Sequence, residues 1–120
     1  MSRTSDMSHL QHRAWATAEE KGFHDRTVTS QMGDLHVSIA LMHSELSEAV
    51  EDLRNREGAI EIPFFIQENG KPDGWAVELA DVVIRVMDTL ACFSIELDEL
   101  IEWKLDYNAT RPWMHGGKAT

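Results

Sequence analysis

Four acidic residues, in two pairs, are the part of the sequence best equipped for chemistry. Glu45 and Glu48 form an E-x-x-E in HSELSEAVED, and Glu78 and Asp81 form an E-x-x-D in AVELADVV. Residues three apart on a helix are surface neighbours, with Cβ atoms about 5–6 Å apart. Each pair can therefore present two carboxylates to one point. Like charges held together in a groove repel and resist ionisation, and a hard divalent cation removes that penalty. Mg²⁺ takes oxygen ligands at about 2.0–2.1 Å and usually draws some from water and from substrate phosphate. Other metals fit less well. None of the six histidines lies three residues after a glutamate, as a di-iron bundle would want. There is no H-E-x-x-H and no paired-cysteine zinc motif. The bland alternative is a solvated helix face. One E-x-x-E arises readily on any acidic helix, and two pairs in equivalent positions are harder to dismiss.

A second group carries positive charge. Leu97, Leu100, Ile101 and Leu105 mark an apolar helical stripe, and Lys104 and Asn108 fall inside it. Arg111 continues the stripe if the helix runs one more turn. An inward lysine and asparagine need partners, which metal-ligand carboxylates or a bound phosphate would supply. The competing reading is a snorkelling lysine and an asparagine at a helix end. Lys118 and His115, either side of Gly116 and Gly117, could fold over a ligand or simply be solvated. His36, His43, Trp15, Trp75, Trp103 and Trp113 fit packing roles, with one tryptophan available to stack on a nucleobase.

Four helices are predicted to position these groups, over residues 8–21, 34–56, 74–91 and 95–108. Ser8, Asp34, Asp73 and Ser94 are the expected N-caps, and Gly22 and Gly58 suit the residue past a helix end. Leu35, Ile39, Met42, Leu46, Val50 and Leu53 recur at helical steps in the second. Trp75, Leu79, Val82, Val83, Val86 and Leu90 do so in the third. At about 100° per residue, both acidic pairs stand in the same relation to these stripes. Val37 and Leu41 flank one pair and Ile84 the other, which puts the carboxylates at the edge of a helix–helix groove. Between the second and third helices, Pro63, Pro72 and Asn69-Gly70 break the pattern. There Ile60, Ile62, Phe64 and Phe65 are expected to cover a core edge rather than form a short extended piece. The fold class is all-α, a four-helix-bundle-like core in one domain over residues 1–120. Residues 1–33 form its N-terminal helical segment and 112–120 a flexible tail.

Composition narrows the partners. The 120 residues carry a net charge of −10, from 21 Asp+Glu against 11 Lys+Arg. That opposes a nucleic-acid polymer and an anionic membrane, while a small phosphorylated ligand can still bind through metal ions. No segment reaches the roughly 20 apolar residues that span a bilayer, and the N-terminus has no apolar signal core. The lone cysteine, Cys92, excludes an intrachain disulfide and is expected to be a small buried thiol beside Leu90, Ala91 and Phe93. The protein is expected to be cytoplasmic. A chain this short buries only about two-thirds of its unfolded surface, so self-association is expected.

The order E-x-x-E, spacer, E-x-x-D, then a helix with lysine and asparagine resembles the all-α nucleoside triphosphate pyrophosphohydrolases, in particular the short MazG-like proteins. The matching stretches are IALMHSELSEAVEDLR, ELADVVIRVMD and KLDYNATRPWMHGGK. Together they span most of the chain from His36 onward. The resemblance implies a four-helix core, a homodimer or homotetramer, and Mg²⁺ (with Mn²⁺ as substitute) held by Glu45, Glu48, Glu78 and Asp81. It also implies hydrolysis between the α and β phosphates of a nucleoside triphosphate. Lys104, Asn108, Arg111 and Lys118 then contact phosphate, and Glu48 is the choice for general base. The spacer between Glu48 and Glu78 is slightly long for the motif. Two other readings stand beside this one: a non-enzymatic helical interaction module and a nucleotide-binding regulator that has lost turnover. A third keeps the chemistry on another substrate, such as phosphoribosyl-ATP.

Overall fold

The computed structural model describes residues 6–24 and 31–112, with residues 31–34 described by backbone alone. It is mostly helical: α1 (Met7–Glu20), α2 (Gln31–Asn55), α3 (Trp75–Ala91) and α4 (Leu97–Ala109), with two short strands, β1 (Phe65–Ile66) and β2 (Pro72–Asp73), between α2 and α3. Helix α3 is the hub. It packs along α2 and α1 and touches α4, which otherwise rests on α1 alone. The segments expected from the sequence are all present, and none of the described helices is long and apolar enough to cross a membrane.

The helix starts differ from expectation. Asp6 caps α1 in place of Ser8, its carboxylate accepting from the His9 amide at 2.8 Å. Asp34 lies inside α2, which begins at Gln31. Gly74, not Asp73, is the residue before α3, and Glu96, not Ser94, the one before α4. Neither Gly74 nor Glu96 caps with its own side chain. Distant groups do it instead. Asp52 of α2 accepts from the Trp75 amide at 2.9 Å, and Gln11 of α1 accepts from the Leu97 amide at 2.9 Å. Gln11, only 3% exposed, also donates to the carbonyls of Met87 and Ile95. Gly74 has no substitute: its φ is +111°, and an added Cβ would lie 2.4 Å from the Pro63 carbonyl oxygen. The end of α1 follows the sequence reading. Gly22 takes φ +81°, and the Phe23 amide reaches back to the Ala18 carbonyl while that of Gly22 reaches Glu19, the Schellman pattern.

The connection from α2 to α3 does include an extended piece. Phe65 pairs with Asp73 and Ile66 with Pro72, antiparallel, across a turn closed by Gly70. Ile60, Ile62, Phe64 and Ile66 are exposed rather than laid over a core edge, while Ala59 is buried. The larger surprise is on α2. Its predicted apolar stripe is split: Ile39, Leu46, Val50 and Leu53 are left exposed, while Leu35 and Met42 fall on the more covered face. That face also carries Glu45, Ala49 and Asp52. Small Ala49 permits close approach, and the two acids find partners on α3. Among the described residues the buried apolar core is thin, namely Ala18, Ala49, Ala59, Met87 and Leu97.

Candidate metal centre

The covered face of α2 brings Glu45 against α3. There Glu45, Glu78 and Asp81 each offer an oxygen, and these oxygens lie within 4.8 Å of one another. Glu45 is largely enclosed, with 14% of its side chain exposed. Its Oε1 accepts from Arg85 Nε at 2.9 Å and lies 2.8 Å from Nη2. Its Oε2 is buried and has no hydrogen-bond partner. A buried carboxylate oxygen left unpaired costs free energy, so this atom is the one in the group that would gain most from a further partner.

The neighbouring acids record the same strain. Burial pushes the Glu78 pKa up, and the charges of Glu48, Asp81, Asp73 and Glu45 push it further. Glu78 lies in the first turn of α3, where the helix dipole favours a negative charge, yet the upward effects win. Asp81 is exposed overall, but partial desolvation of its carboxylate raises its pKa, with Glu45 next in size; Arg85 and Lys71 pull the other way without prevailing. Two cations near a set of carboxylates thus leave the balance negative. The donors are all hard oxygens, one has no hydrogen-bond partner, and Glu78 and Asp81 resist ionising. A small hard divalent cation such as Mg²⁺ fits these properties.

Three of the four expected ligands meet. Glu48 is exposed and stands outside the 4.8 Å group, although among charged neighbours it acts most strongly on Glu78. It occupies the rim of the site. The expected phosphate contacts are placed differently. Lys104 and Asn108 are exposed on α4 rather than turned inward, and the Lys104 ammonium stands 5.0 Å over the Tyr107 ring. Helix α4 makes no contact with α2 within the described chain. Arg111 is half-buried just past α4. Lys118, with Trp113 and His115, lies outside the described residues.

Sequence reasoning missed the cations at the site. Arg85 lies one helical turn beyond Asp81, so its spacing could have placed it on the same face. Lys71 arrives through the hairpin turn, which no local pattern connects to Asp81. Beside the acids runs a groove of about 890 Å³, lined by Glu45, Asp81, Arg85 and Asp88 and by apolar Leu10, Val83 and Ile84. Cys92, expected to be buried, is exposed at the end of α3, because the chain turns away there through Ser94 at φ +60°. No protein-family model, curated protein or solved structure matches the chain.

Proposed function

We propose that the protein is a Mg²⁺-dependent nucleoside triphosphate pyrophosphohydrolase of the MazG-like kind, acting in the cytoplasm. It would split ribo- or deoxynucleoside triphosphates into monophosphate and pyrophosphate. The observation that carries this reading is the buried, unpartnered Oε2 of Glu45 beside two acids with raised pKa values. Natural folds satisfy nearly all buried polar atoms, so an exception calls for an absent partner. Glu45, Glu78 and Asp81 hold the cation and Glu48 joins from the rim, with Mn²⁺ as substitute for Mg²⁺. When bound, the metal neutralises phosphate oxygens and stabilises charge on the leaving pyrophosphate.

The chain's own residues do the rest. Glu48, exposed and outside the tight group, takes the proton of the attacking water. Arg85 and Lys71 offset the negative charge of the pocket. Lys104, Asn108, Arg111 and Lys118 bind phosphate. Helix α4 does not touch α2 among the described residues and touches α3 only lightly, so on this reading Lys104, Asn108 and Arg111 reach the acids across a contact between copies. A homodimer or homotetramer of this kind would also cover Ile39, Leu46, Val50 and Leu53, which are 41–48% exposed. Uncovered apolar surface on that scale favours association.

The test is turnover of a panel of nucleoside triphosphates with Mg²⁺, resolving pyrophosphate from orthophosphate. Monophosphate plus pyrophosphate, lost with EDTA and in Glu48→Gln, is the expected result. Orthophosphate release would overturn the assigned cleavage position. Absence of any turnover would favour a second reading, a non-enzymatic helical interaction or nucleotide-binding regulatory module. The broad exposed apolar surface is the observation on its side.

A further inference from the structure

A second cluster, about two helical turns further along the same face of α3, gathers unlike donors. His24 follows the turn that closes α1, while Asp88 and Cys92 are one helical turn apart at the end of α3. One ligand atom from each of His24, Asp88 and Cys92 lies within 4.8 Å of the other two. His24 Nε2 is 2.7 Å from Asp88 Oδ1, and its Nδ1 is 2.8 Å from Glu19 Oε1. The imidazole is mostly enclosed, 14% exposed, with the Trp15 ring 5.3 Å away. The ring is therefore held from both edges and one face.

The donor set differs in kind from the acidic group. An imidazole, a carboxylate and a thiol suit a borderline-soft cation, above all Zn²⁺, which takes nitrogen, oxygen and sulfur ligands in a tetrahedron. A thiolate is a poor ligand for Mg²⁺. Glu19 supplies the outer partner such sites generally have: a carboxylate on one ring nitrogen keeps the proton there and turns the other lone pair toward the metal. A neutral His24 held this way would set a bare Nε2 lone pair against the Asp88 carboxylate. That contact needs a positive centre, and the neighbouring thiol favours a metal over a proton.

We propose that His24, Asp88 and Cys92 form a Zn²⁺-class site separate from the acidic group, with Glu19 as a positioning residue. Metal there would pin the end of α1 to the end of α3, with the fourth coordination position left for water. This inference does not depend on the pyrophosphohydrolase reading.

The experiment uses the full chain, stripped of metal and titrated with Co²⁺ as a spectroscopic stand-in for Zn²⁺. Cys92 is the one cysteine in the sequence, so a thiolate-to-cobalt charge-transfer band reports this site and not the carboxylates. The expected result is a band that saturates at one equivalent per chain, is displaced by Zn²⁺ and survives excess Mg²⁺. Cys92→Ser, at an exposed position, should abolish it. His24→Gln and Asp88→Asn should each weaken binding, and Glu19→Gln should weaken it by about 10–100-fold. No band in the wild type overturns the proposal and leaves His24 as an imidazolium bridging two carboxylates. A band unaffected by His24→Gln and Asp88→Asn also overturns it, since the thiol alone would then be holding the metal.

Discussion

Asp52 and Glu45 stand about two turns apart on the same face of α2, both against α3, and meet opposite fates. Asp52 has every oxygen engaged: Oδ1 accepts from Arg56 Nε at 2.6 Å, and Oδ2 from Arg56 Nη2 at 2.7 Å and the Trp75 amide at 2.9 Å. Glu45 has one oxygen on Arg85 and the other buried with no partner. The hydrogen bonds from Arg56 hold the Asp52 pKa down. The amide of Gly74 and the side chain of Gln67 do the same for Asp73. Beside Glu45, burial and like charge hold Glu78 and Asp81 up. One region is a closed network that fastens α3 to α2. The other is left open on the same scaffold, and a fold gains nothing from an open buried carboxylate unless something binds it.

The largest effect should separate the two regions by activity. Glu48→Gln is expected to lower triphosphate turnover by about 10²–10⁴-fold, with little change in melting temperature, because Glu48 is exposed. Asp52→Asn should do the reverse: the melting temperature falls by several degrees, and turnover well below that temperature stays near wild type. A Glu48→Gln enzyme of full activity would remove Glu48 from the chemistry.

Metal binding should show the same division in stability. At free Mg²⁺ a hundredfold above Kd, binding to the folded chain alone adds about 2.7 kcal/mol. Thermal melts with and without Mg²⁺ should therefore separate clearly for the wild type and for Asp52→Asn. Glu45→Gln should bring its two curves together, since it removes the ligand whose oxygen has no partner. A Mg²⁺ shift that persists in Glu45→Gln would place the cation elsewhere.

The two regions should also titrate in opposite senses. Asp52 and Asp73 have folded pKa values below their unfolded ones. Their contribution is present above the ordinary carboxylate range and is lost as pH falls through it, about 4 and below. Glu78 and Asp81 have folded values above their unfolded ones. Their ionisation penalty is absent below that range, grows as pH rises toward the folded pKa, and is complete above it. Without divalent cation, stability should therefore rise as pH is lowered from neutral, then collapse in stronger acid. His24 adds to the first limb. Burial lowers its pKa, but the hydrogen bonds and charges of Glu19 and Asp88 outweigh this and raise it. Its bridge is fully present below the ordinary histidine range and is lost as pH rises through the higher folded value. Comparing Glu78→Gln with wild type isolates the carboxylate part, and identical pH profiles would contradict it.

Much of this was legible in the sequence. Helical periodicity located four helices, and the three-residue spacing singled out Glu45, Glu48, Glu78 and Asp81, because both signals are local. The fold gathers all of these but Glu48. What escaped was long-range. The caps on α3 and α4 come from Asp52 and Gln11, each remote in sequence from the amide it serves. The split of the α2 stripe escaped as well. A run of Ile39, Leu46, Val50 and Leu53 marks an apolar face, but it does not say whether this chain or another body covers it. In the described fold α3 takes the more covered face, where Ala49 allows close contact and the carboxylates pair. His24 meets Asp88 and Cys92 only because the α1 turn delivers it there, and no spacing rule joins residues so far apart.

The smallest effect concerns the one partner Glu45 has. Arg85 is 37% exposed, so solvent screens its charge, and its pair with Glu45 is worth only about 1 kcal/mol. Removing it nevertheless leaves both Glu45 oxygens without a donor in a pocket already short of positive charge. Arg85→Gln should therefore lower the melting temperature slightly in the absence of metal. Mg²⁺ should restore most of the loss, because a cation on the carboxylates replaces the charge that was removed. At Asp52 the matching change is Arg56→Gln. That loss should be insensitive to Mg²⁺, since Asp52 keeps the Trp75 amide and lies outside the group that gathers oxygens. Equal Mg²⁺ rescue of both variants would mean the cation acts by general screening and would dissolve the distinction between the closed region and the open one. Rescue confined to Arg85→Gln would locate the binding energy at the unpartnered oxygen of Glu45.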